Sequence, residues 1–342
     1  SLPVKIEHPM LWWPNGMGDA NLHDAWYSFD DGEKLEYKAG IREFTYSDTM
    51  SDLKMYVNGH RFFPKGGNWG FSEINLRYGA KEYDKAVGYH KEMNLNMIRN
   101  WVGQTGDDEF YQACDKYGIV VWQDFWLANP VDGPEPDDEE MFLRNADNYV
   151  RRIRNHPCIA LYCGRNEGTP PAGLDKALGE LVGKLAPGMI YFPDSSRGLV
   201  SGHGPYCRRS ALQTFTSWGQ GKFHSELGMP NVPNYESLVR FIPKEHLWPQ
   251  DNMWGYHNYT YESAQSVGTF NSAVEGMFGK PEDAEQFCEW AQWVNYDGYR
   301  AIFESRSAER RGLTLWMSHS AWPDLVFFTY DYYFDTDGAY YG

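Results

Sequence analysis

One short stretch, residues 158–168, constrains the fold of this chain more than any other. Its first part, Cys158–Cys163, is a continuous run of apolar and small residues, and it is followed by the sequence GRNEG at Gly164–Gly168. A short apolar run that stops at glycine and polar residues is typical of a strand buried on both faces, as in a parallel sheet. The stretch therefore predicts a parallel strand with Glu167 at its carboxyl end.

Strand and helix patterns alternate along most of the chain. Further strands are predicted at 62–69, 97–101, 119–125, 189–192, 212–215, 222–226 and 313–317. Helices are predicted at 82–92, 107–117, 139–155, 174–185 and 281–306. Repeated strand–helix units favour a parallel sheet with right-handed crossovers, and about 300 residues of them favour an eight-stranded (β/α)8 TIM barrel. Neither a Gly-x-Gly-x-x-Gly fingerprint nor a Walker loop occurs, so a nucleotide-binding fold has no support.

The first 46 residues have a different pattern, with strand-like segments between turn signals. Asn15-Gly16 and Asp30-Asp31-Gly32 are such signals, and Asn58-Gly59 predicts a further hairpin just beyond this region. The region is too short for a complete sandwich of about 100 residues. We predict that residues 1–46 are the carboxyl-terminal part of an immunoglobulin-like β-sandwich and that residues 47–342 form the barrel domain. The chain then resembles a piece of a longer protein.

Charge and cysteine usage exclude several classes of function. The formal net charge is −16, and no basic run is present. Such a surface repels phosphate backbones and anionic lipids, so nucleic-acid and membrane partners are disfavoured. The five cysteines are odd in number and lack a Cys-x-x-Cys pair, which argues against a disulfide framework or a zinc site. We expect no metal and no cofactor. The sequence does not fix the compartment; a periplasmic or secreted location is preferred to the cytoplasm.

Aromatic residues are unusually frequent, at 17% of the chain with 14 tryptophans. A large core filled with rings is one explanation. A ligand with flat apolar faces and many hydroxyls, such as a sugar, is the other, because rings stack on its C–H faces while carboxylates and amides bind the hydroxyls.

A second glutamate has the same kind of setting as Glu167. Glu226 lies in Lys222–Pro230, a short strand pattern followed by Gly228 and Pro230. Carboxylates at the carboxyl rim of one barrel are suited to glycoside cleavage, in which one acts as acid/base and the other as nucleophile. In retaining enzymes the two carboxyl groups lie about 5–5.5 Å apart.

The chain resembles the catalytic core of glycoside hydrolase family 2. It is most similar to the branch of β-mannosidases, plant-type endo-β-mannosidases and exo-β-glucosaminidases. The matching stretches, in chain order, are Leu11–Gly16, Gly40–Phe44, Phe63–Trp69, Asn96–Val102, Phe110–Phe125, Arg154–Pro157, Gly164–Gly168, Phe223–Pro230, Val294–Glu304 and Leu315–Pro323. They cover nearly the whole chain in the family's order, which makes the resemblance specific.

The resemblance implies a role for each matching residue. Glu167 corresponds to the general acid/base and Glu226 to the nucleophile. Asn166 corresponds to the residue that binds the sugar 2-position, and Arg99 to the arginine that orients the nucleophile. The positions that line the sugar pocket in the family are occupied here by Trp101, Asp124, Asn68 and Trp316.

One more candidate comes from its place in the chain. His257 lies in the aromatic segment 254–258 after Glu226, and we include it among the substrate-binding residues because this segment could fold over the pocket. A surface loop packed by its own rings is an equal alternative.

Structural roles remain open for several of these residues. Arg99 could be an ordinary ion-pair partner at the barrel rim. Trp101 and Trp316 could be packing residues, and Asp124 could cap the next segment.

The predicted function is hydrolysis of β-mannosides or related β-glycosides with retention, and the predicted partner is an oligosaccharide or glycoside substrate. The intact Asn166-Glu167 pair favours a neutral sugar. An exo-β-glucosaminidase, a β-galactosidase and a catalytically weak sugar-binding fragment are the alternatives. Family members carry further N- and C-terminal domains, which we expect as partners supplied by the same protein.

Overall fold

Five short strands at the start of the chain form two antiparallel sheets. The computed structural model describes residues 5–47, 51–69, 78–202, 204–217, 221–260, 267–305 and 309–342. The strands are β1 (His23–Ser28), β2 (Lys34–Ala39), β3 (Phe44–Tyr46), β4 (Met55–Val57) and β5 (His60–Phe62). β1 pairs with β2, and β4 pairs with both β3 and β5. Asn58 and Gly59, with φ of 50° and 78°, form the predicted hairpin turn.

The first strands are joined to the rest of the chain across the predicted boundary at residue 46. Phe44 in β3 pairs with Val57 in β4. The Arg42 side chain donates to the carbonyls of Pro157 and Ile159 at 3.0 and 3.1 Å. This region therefore packs on the segment that leads into the central strand. Its assignment to a β-sandwich stays a prediction.

Eight parallel strands form the central sheet. They are β6 (Lys65–Trp69), β7 (Met97–Asn100), β8 (Val120–Asp124), β9 (Ile159–Arg165), β10 (Ile190–Asp194), β11 (Val200–Ser201), β12 (Phe223–Leu227) and β13 (Gly312–Leu315). Their spatial order is β10-β9-β8-β7-β6-β13-β12-β11. The two outer strands, β10 and β11, follow each other in the chain. Ser225 in β12 donates to the Ser195 carbonyl after β10 at 2.5 Å, which brings the two edges together. The sheet is the predicted (β/α)8 barrel.

Helices connect most of the barrel strands. They are α1 (Ala80–Glu92), α2 (Asp108–Tyr117), α3 (Glu139–Ile153), α4 (Ala172–Leu185), α5 (Ala211–Ser217), α6 (Tyr235–Leu238), α7 (Asn252–Tyr256), α8 (Val267–Phe278), α9 (Ala284–Glu304) and α10 (Gly338–Tyr341). The five predicted helices correspond to α1 to α4 and α9. Asp138 and Asp283 cap α3 and α9 by accepting backbone N–H bonds at 2.8 and 2.9 Å.

The strand predicted near Leu212–Phe215 is wrong, because this segment is helix α5. Ser210 and Gln213 form a reciprocal capping box at its start: the Gln213 N–H donates to Ser210 Oγ at 3.2 Å, and Gln213 Oε1 accepts from the Ser210 N–H at 2.9 Å. The Ser-x-x-Gln pattern is a helix-start signal. The missing barrel strand is the two-residue β11, too short to leave a pattern.

An aromatic cluster fills the barrel beneath its carboxyl rim. The Trp122 ring of β8 lies 5.2 Å from Phe192 of β10 and 5.3 Å from Phe223 of β12. Neither strand pairs with β8, so these contacts cross the barrel interior. The Arg99 guanidinium lies 5.0 Å from the Trp122 ring, so the cluster supports the charged groups at the rim.

Two kinds of feature are absent from the residues that the structure describes. No helix in these ranges is long and apolar enough to cross a membrane. Within the same ranges, no group of three or more His, Cys, Asp or Glu side chains could hold a metal ion.

We expect Trp122→Ala to lower the free energy of unfolding by about 3–5 kcal/mol, because it leaves a cavity in the barrel interior. Urea denaturation followed by circular dichroism measures the change. Trp122→Phe is the matched control. It keeps an aromatic ring but removes the indole N–H that donates to Asp124 Oδ1 at 2.7 Å, so its cost is smaller, about 1–3 kcal/mol. Equal costs for the two variants would contradict this account.

Candidate active site

The predicted site residues come from strands whose carboxyl ends meet at one rim. Asn68 and Arg99 are the next-to-last residues of β6 and β7, and Asp124 is the last residue of the neighbouring strand β8. Asn166 and Glu167 follow β9 directly. Two further site residues lie on the strands that follow β6 in the opposite direction around the barrel: Glu226 in β12 and Trp316 just after β13. Parallel strands bring these positions to the same edge of the sheet, where barrel enzymes hold their reactive groups.

Arg99 binds Asp124, Asn166 and Glu226, and we call these four residues the Arg99 cluster. Its Nη1 donates to Glu226 Oε1 at 2.6 Å, its Nε and Nη2 donate to Asp124 Oδ2 at 3.1 and 2.7 Å, and its Nη2 also donates to Asn166 Oδ1 at 2.7 Å. Arg99 and Asp124 are completely buried. Burial opposes the charge of Arg99, but Asp124 and Glu226 hold its pKa above the ordinary value. The guanidinium therefore stays charged and fixes three side chains from three other strands.

Asp124 orients Arg99 and is itself held by two donors. Trp122 Nε1 donates to its Oδ1 at 2.7 Å, and the Val102 backbone N–H donates to its Oδ2 at 3.0 Å. These bonds fill the carboxylate's acceptor positions. In this arrangement Asp124 holds the Arg99 side chain in place. Its role as a residue that lines the sugar pocket stays a prediction.

Glu226 is bound at both oxygens. Arg99 donates to Oε1, and Tyr206 Oη donates to Oε2 at 2.8 Å. Burial raises the pKa of Glu226 above its ordinary value, Arg99 lowers it, and nearby Glu167 raises it again; the net shift is upward. The contribution of Glu167 indicates that its carboxyl group lies near that of Glu226.

Asn166 and Glu167 are positioned by backbone contacts as well as by Arg99. The Asn166 N–H donates to the Leu127 carbonyl at 2.9 Å. Ser195 Oγ accepts from the Glu167 N–H at 3.0 Å and donates to Asn166 Oδ1 at 3.2 Å. Glu167 has φ of 47°, a left-handed conformation that costs a non-glycine residue about 1–3 kcal/mol. This conformation turns the chain sharply at the end of β9, where Glu167 is only partly buried.

Trp101, Trp316 and Asn68 make contacts of their own. Trp101 and Trp316 contact each other edge to face, with ring centroids 4.9 Å apart, and both are partly exposed. Asn68 is completely buried, and its Nδ2 donates to the carbonyls of Ser225 and Leu315 at 3.0 and 2.8 Å. Asn68 thus joins β6 to β12 and β13. Its predicted contact with substrate, like those of the two tryptophans, stays a prediction.

His257 belongs to a separate aromatic cluster. Its ring stacks on Trp322 at 4.9 Å and contacts Phe241 at 4.7 Å, and its Nδ1 bonds the Pro323 carbonyl at 2.7 Å. In the part of the chain that the structure describes, no hydrogen bond joins His257 to the Arg99 cluster. Its role in substrate binding also stays a prediction.

Two residues in this arrangement were missed by the sequence analysis. Tyr206 lies in the segment after β11, and Ser195 directly follows β10. Tyr206 comes after the pair Gly204-Pro205, which indicates a turn but no catalytic role. Ser195 belongs to no recognised motif. Their partners lie 20 and 28 positions away in the chain, so only the folded barrel brings them together.

Comparison with known proteins places this fold in context. No family model matches the chain. A mannosylglycoprotein endo-β-mannosidase of Lilium longiflorum is 29% identical over 99% of this chain and 42% of its own length. A β-mannosidase B of Aspergillus flavus is 28% identical over 98% of this chain and 46% of its own length. The chain thus spans less than half the length of the curated relatives it matches.

Solved structures agree with the sequence relatives. The crystal structure of a β-D-mannosidase from Dictyoglomus thermophilum matches with a TM-score of 0.82 at 26% identity, over 99% of this chain and 46% of that one. An exo-chitosanase of Amycolatopsis orientalis matches with a TM-score of 0.84 at 22% identity, over 98% of this chain and 44% of that one, which shows a shared fold. The fold is therefore that of a (β/α)8-barrel protein, and the chain is similar to proteins named as β-mannosidases. This similarity agrees with the predicted resemblance to glycoside hydrolase family 2.

We expect Arg99→Met to lower the free energy of unfolding by about 3–5 kcal/mol, because it leaves Asp124 and Glu226 buried without a cation. Chemical denaturation at neutral pH measures the effect. Arg151→Met is the matched control: its ion pair with Asp147 on α3 is exposed, and we expect little change in the free energy of unfolding, because water and salt screen such a pair.

A double-mutant cycle separates charge from packing. Adding Glu226→Gln to Arg99→Met removes one of the stranded charges, so the double variant should lose less stability than the sum of the two single variants. If Arg99→Met lowers the free energy of unfolding no more than Arg151→Met does, Arg99 does not stabilise the buried carboxylates as described.

Proposed function

We propose that this chain is the catalytic barrel of a retaining β-glycosidase that hydrolyses β-mannosides. The observation that carries the proposal is the buried Arg99 guanidinium, which binds Glu226 and Asn166 at the same time. It places a carboxylate and an amide side by side at the carboxyl rim, next to Glu167. Because this chain spans less than half of its relatives, the activity is proposed for the whole protein that contains it.

In the first step, Glu226 is the nucleophile. One of its carboxylate oxygens attacks the anomeric carbon, the bond from that carbon to the glycosidic oxygen breaks, and the carboxyl proton of Glu167 passes to the departing oxygen. Arg99 and Tyr206 hold the two oxygens of Glu226, which fixes the direction of attack.

In the second step, water releases the sugar. Glu167, now a carboxylate, takes a proton from water while the water oxygen bonds to the anomeric carbon. The ester bond to Glu226 breaks, and Glu226 returns to its ionised form. Two inversions at the same carbon retain the β-configuration.

Asn166 is suited to bind the sugar hydroxyl next to the anomeric carbon. Arg99 and Ser195 both donate to its Oδ1, and this fixes the amide so that its nitrogen serves as the donor. Among the described residues, none accepts a hydrogen bond from that nitrogen. The named activities of the relatives from lily, Aspergillus and Dictyoglomus favour a mannoside. β-Glucosaminide and β-galactoside remain the alternative substrates.

The test is loss and rescue of turnover at Glu226. We expect Glu226→Ala to lower kcat for an aryl β-mannoside by several orders of magnitude, because the nucleophile is gone. Azide should restore aryl release and give a glycosyl azide of inverted configuration, since the small anion attacks from the vacated position. Proton NMR of the product reads the configuration. Full activity in the variant without azide would overturn the assignment.

The choice of sugar is tested on the full-length protein with a panel of 4-nitrophenyl β-glycosides. The proposal predicts the highest kcat/KM for the β-mannoside. A higher value for the β-glucosaminide or the β-galactoside would move the assignment to that sugar. Binding of glycosides without aryl release from any of them would favour a sugar-binding fragment.

A pH profile tests the environment of Glu226. A nucleophile must be ionised, and the pKa of Glu226 lies above its ordinary value of 4.5, so kcat/KM should fall as the pH drops through that raised pKa. The Tyr206 hydrogen bond lowers this pKa. We expect Tyr206→Phe to move the acid limb of the profile to higher pH and to reduce kcat/KM at the optimum about 10- to 100-fold.

The sign of this shift is the critical result. Removal of a hydrogen bond to the ionised form cannot favour ionisation. An acid limb that stays in place or moves to lower pH in Tyr206→Phe would show that the limb does not report Glu226.

A further inference from the structure

A compact loop at the barrel rim is fastened to the residue that precedes the Asn166-Glu167 pair. The loop consists of residues 128–135, between β8 and α3, and we call it the β8 loop. Arg165, the last residue of β9, donates from Nε to the Ala128 carbonyl at 2.8 Å and from Nη1 to Glu135 Oε1 at 2.6 Å. Its Nη2 also donates to the Gly133 carbonyl at 3.4 Å. One guanidinium therefore holds both ends of the loop.

The Arg165 side chain is buried, although it carries a charge. The Arg165 side chain is only 1% exposed, whereas that of Glu135 is 51% exposed. Removing a guanidinium from water is expensive, so the site must provide several acceptors. Two of the three acceptors are backbone carbonyls of the loop. The bonds of Arg165 therefore depend on the backbone conformation of the loop as well as on the ion pair with Glu135.

The loop has a fixed internal structure. Asn129 Oδ1 accepts from the N–H groups of Val131 and Asp132 at 3.0 and 2.8 Å, and the Asn129 carbonyl accepts from the Gly133 N–H at 3.0 Å. An asparagine that bonds the backbone two and three residues ahead stabilises a tight turn. The loop is therefore positioned as a unit when Arg165 holds its ends.

The loop also packs against Gly168, the residue that follows Glu167. A Cβ at Gly168 would lie 2.9 Å from Pro130 Cδ, so glycine allows Pro130 to approach the residue next to Glu167. On the other side, the Leu127 carbonyl binds the Asn166 N–H. At the tip of the loop, Val131 is 94% exposed.

We propose that Arg165 is a positioning residue that holds the β8 loop as the wall of the leaving-group side of the site, with Val131 as the contact for the leaving sugar. This inference rests on the proposed function. The general acid delivers its proton to the glycosidic oxygen, so it stands on the leaving-group side of the cleaved bond. A loop packed against Gly168, the residue that follows Glu167, on a rim open to solvent is placed to contact the group that departs.

The substrates for the test differ in the leaving group alone. One is a mannosyl-β-1,4-mannose oligosaccharide, whose leaving sugar reaches the loop, and the other is 2,4-dinitrophenyl β-mannoside, whose small leaving group needs little acid assistance. The full-length protein is used. We expect Arg165→Lys to lower kcat/KM for the oligosaccharide about 10- to 100-fold, because lysine cannot bind three divergent acceptors and the loop shifts.

The rate at which the mannosyl group is released from Glu226 shows whether Arg165→Lys displaces only the loop or damages the whole active site. When this second step limits kcat for the dinitrophenyl substrate, the leaving group has already departed, so kcat should change less than two-fold in Arg165→Lys. Val131→Ala should lower kcat/KM for the oligosaccharide several-fold without changing the thermal midpoint, because its side chain is exposed. Met277→Ala on α8, a half-exposed apolar residue outside the loop, is the matched control and should change neither substrate.

The outcomes are distinct. Selective loss on the oligosaccharide in both loop variants supports the inference. Equal loss on both substrates, or no loss on either in Val131→Ala, overturns it and leaves the proposed function intact. Failure of the unaltered protein to cleave any glycoside overturns the proposed function itself, and the inference with it.

Discussion

The buried guanidinium of Arg99 is the interaction on which the rest of the site depends. It ties β7 to groups from β8, β9 and β12, through Asp124, Asn166 and Glu226. A buried charge is tolerated only when partners replace its lost hydration. Here the two carboxylates and the amide supply that replacement, so the arginine, the barrel rim and the direction of Glu226 are fixed together. A shift of β7, β8, β9 or β12 would break at least one of these bonds.

The barrel interior makes this arrangement possible. The rings of Trp122, Phe192 and Phe223 fill the space beneath Arg99 and keep water from that side. Low polarity below the cluster strengthens each charged hydrogen bond and raises the cost of leaving one unmade. It also accounts for the upward shift in the pKa of Glu226, which burial favours and Arg99 opposes. Apolar packing therefore acts directly on the site, through the contacts of Trp122 with Arg99 and Asp124.

The sequence was sufficient to predict the barrel and to select most of the polar residues that meet at its rim, whose roles stay predictions. The reasons are physical. Apolar runs such as Cys158–Cys163 mark buried parallel strands, and polar residues just beyond them must gather at one rim. Tyr206 and Ser195 could not be found in this way, because their places depend on how loops lie across the finished rim. The β8 loop shows the same limit: Arg165 is visible beside Asn166 in the sequence, but its three acceptors are set by the fold.

The most direct test of the account is to trap the covalent intermediate on Glu226. A 2-deoxy-2-fluoro mannoside with a good leaving group slows release of the sugar, so the ester should accumulate on the full-length protein. Peptide mapping by mass spectrometry should then find one added fluoromannosyl group on the peptide that contains Phe223–Leu227, attached at Glu226. A label on another carboxylate, or continued turnover of ordinary substrate by fully labelled protein, would contradict the assignment of Glu226 as the group that Arg99 orients for attack.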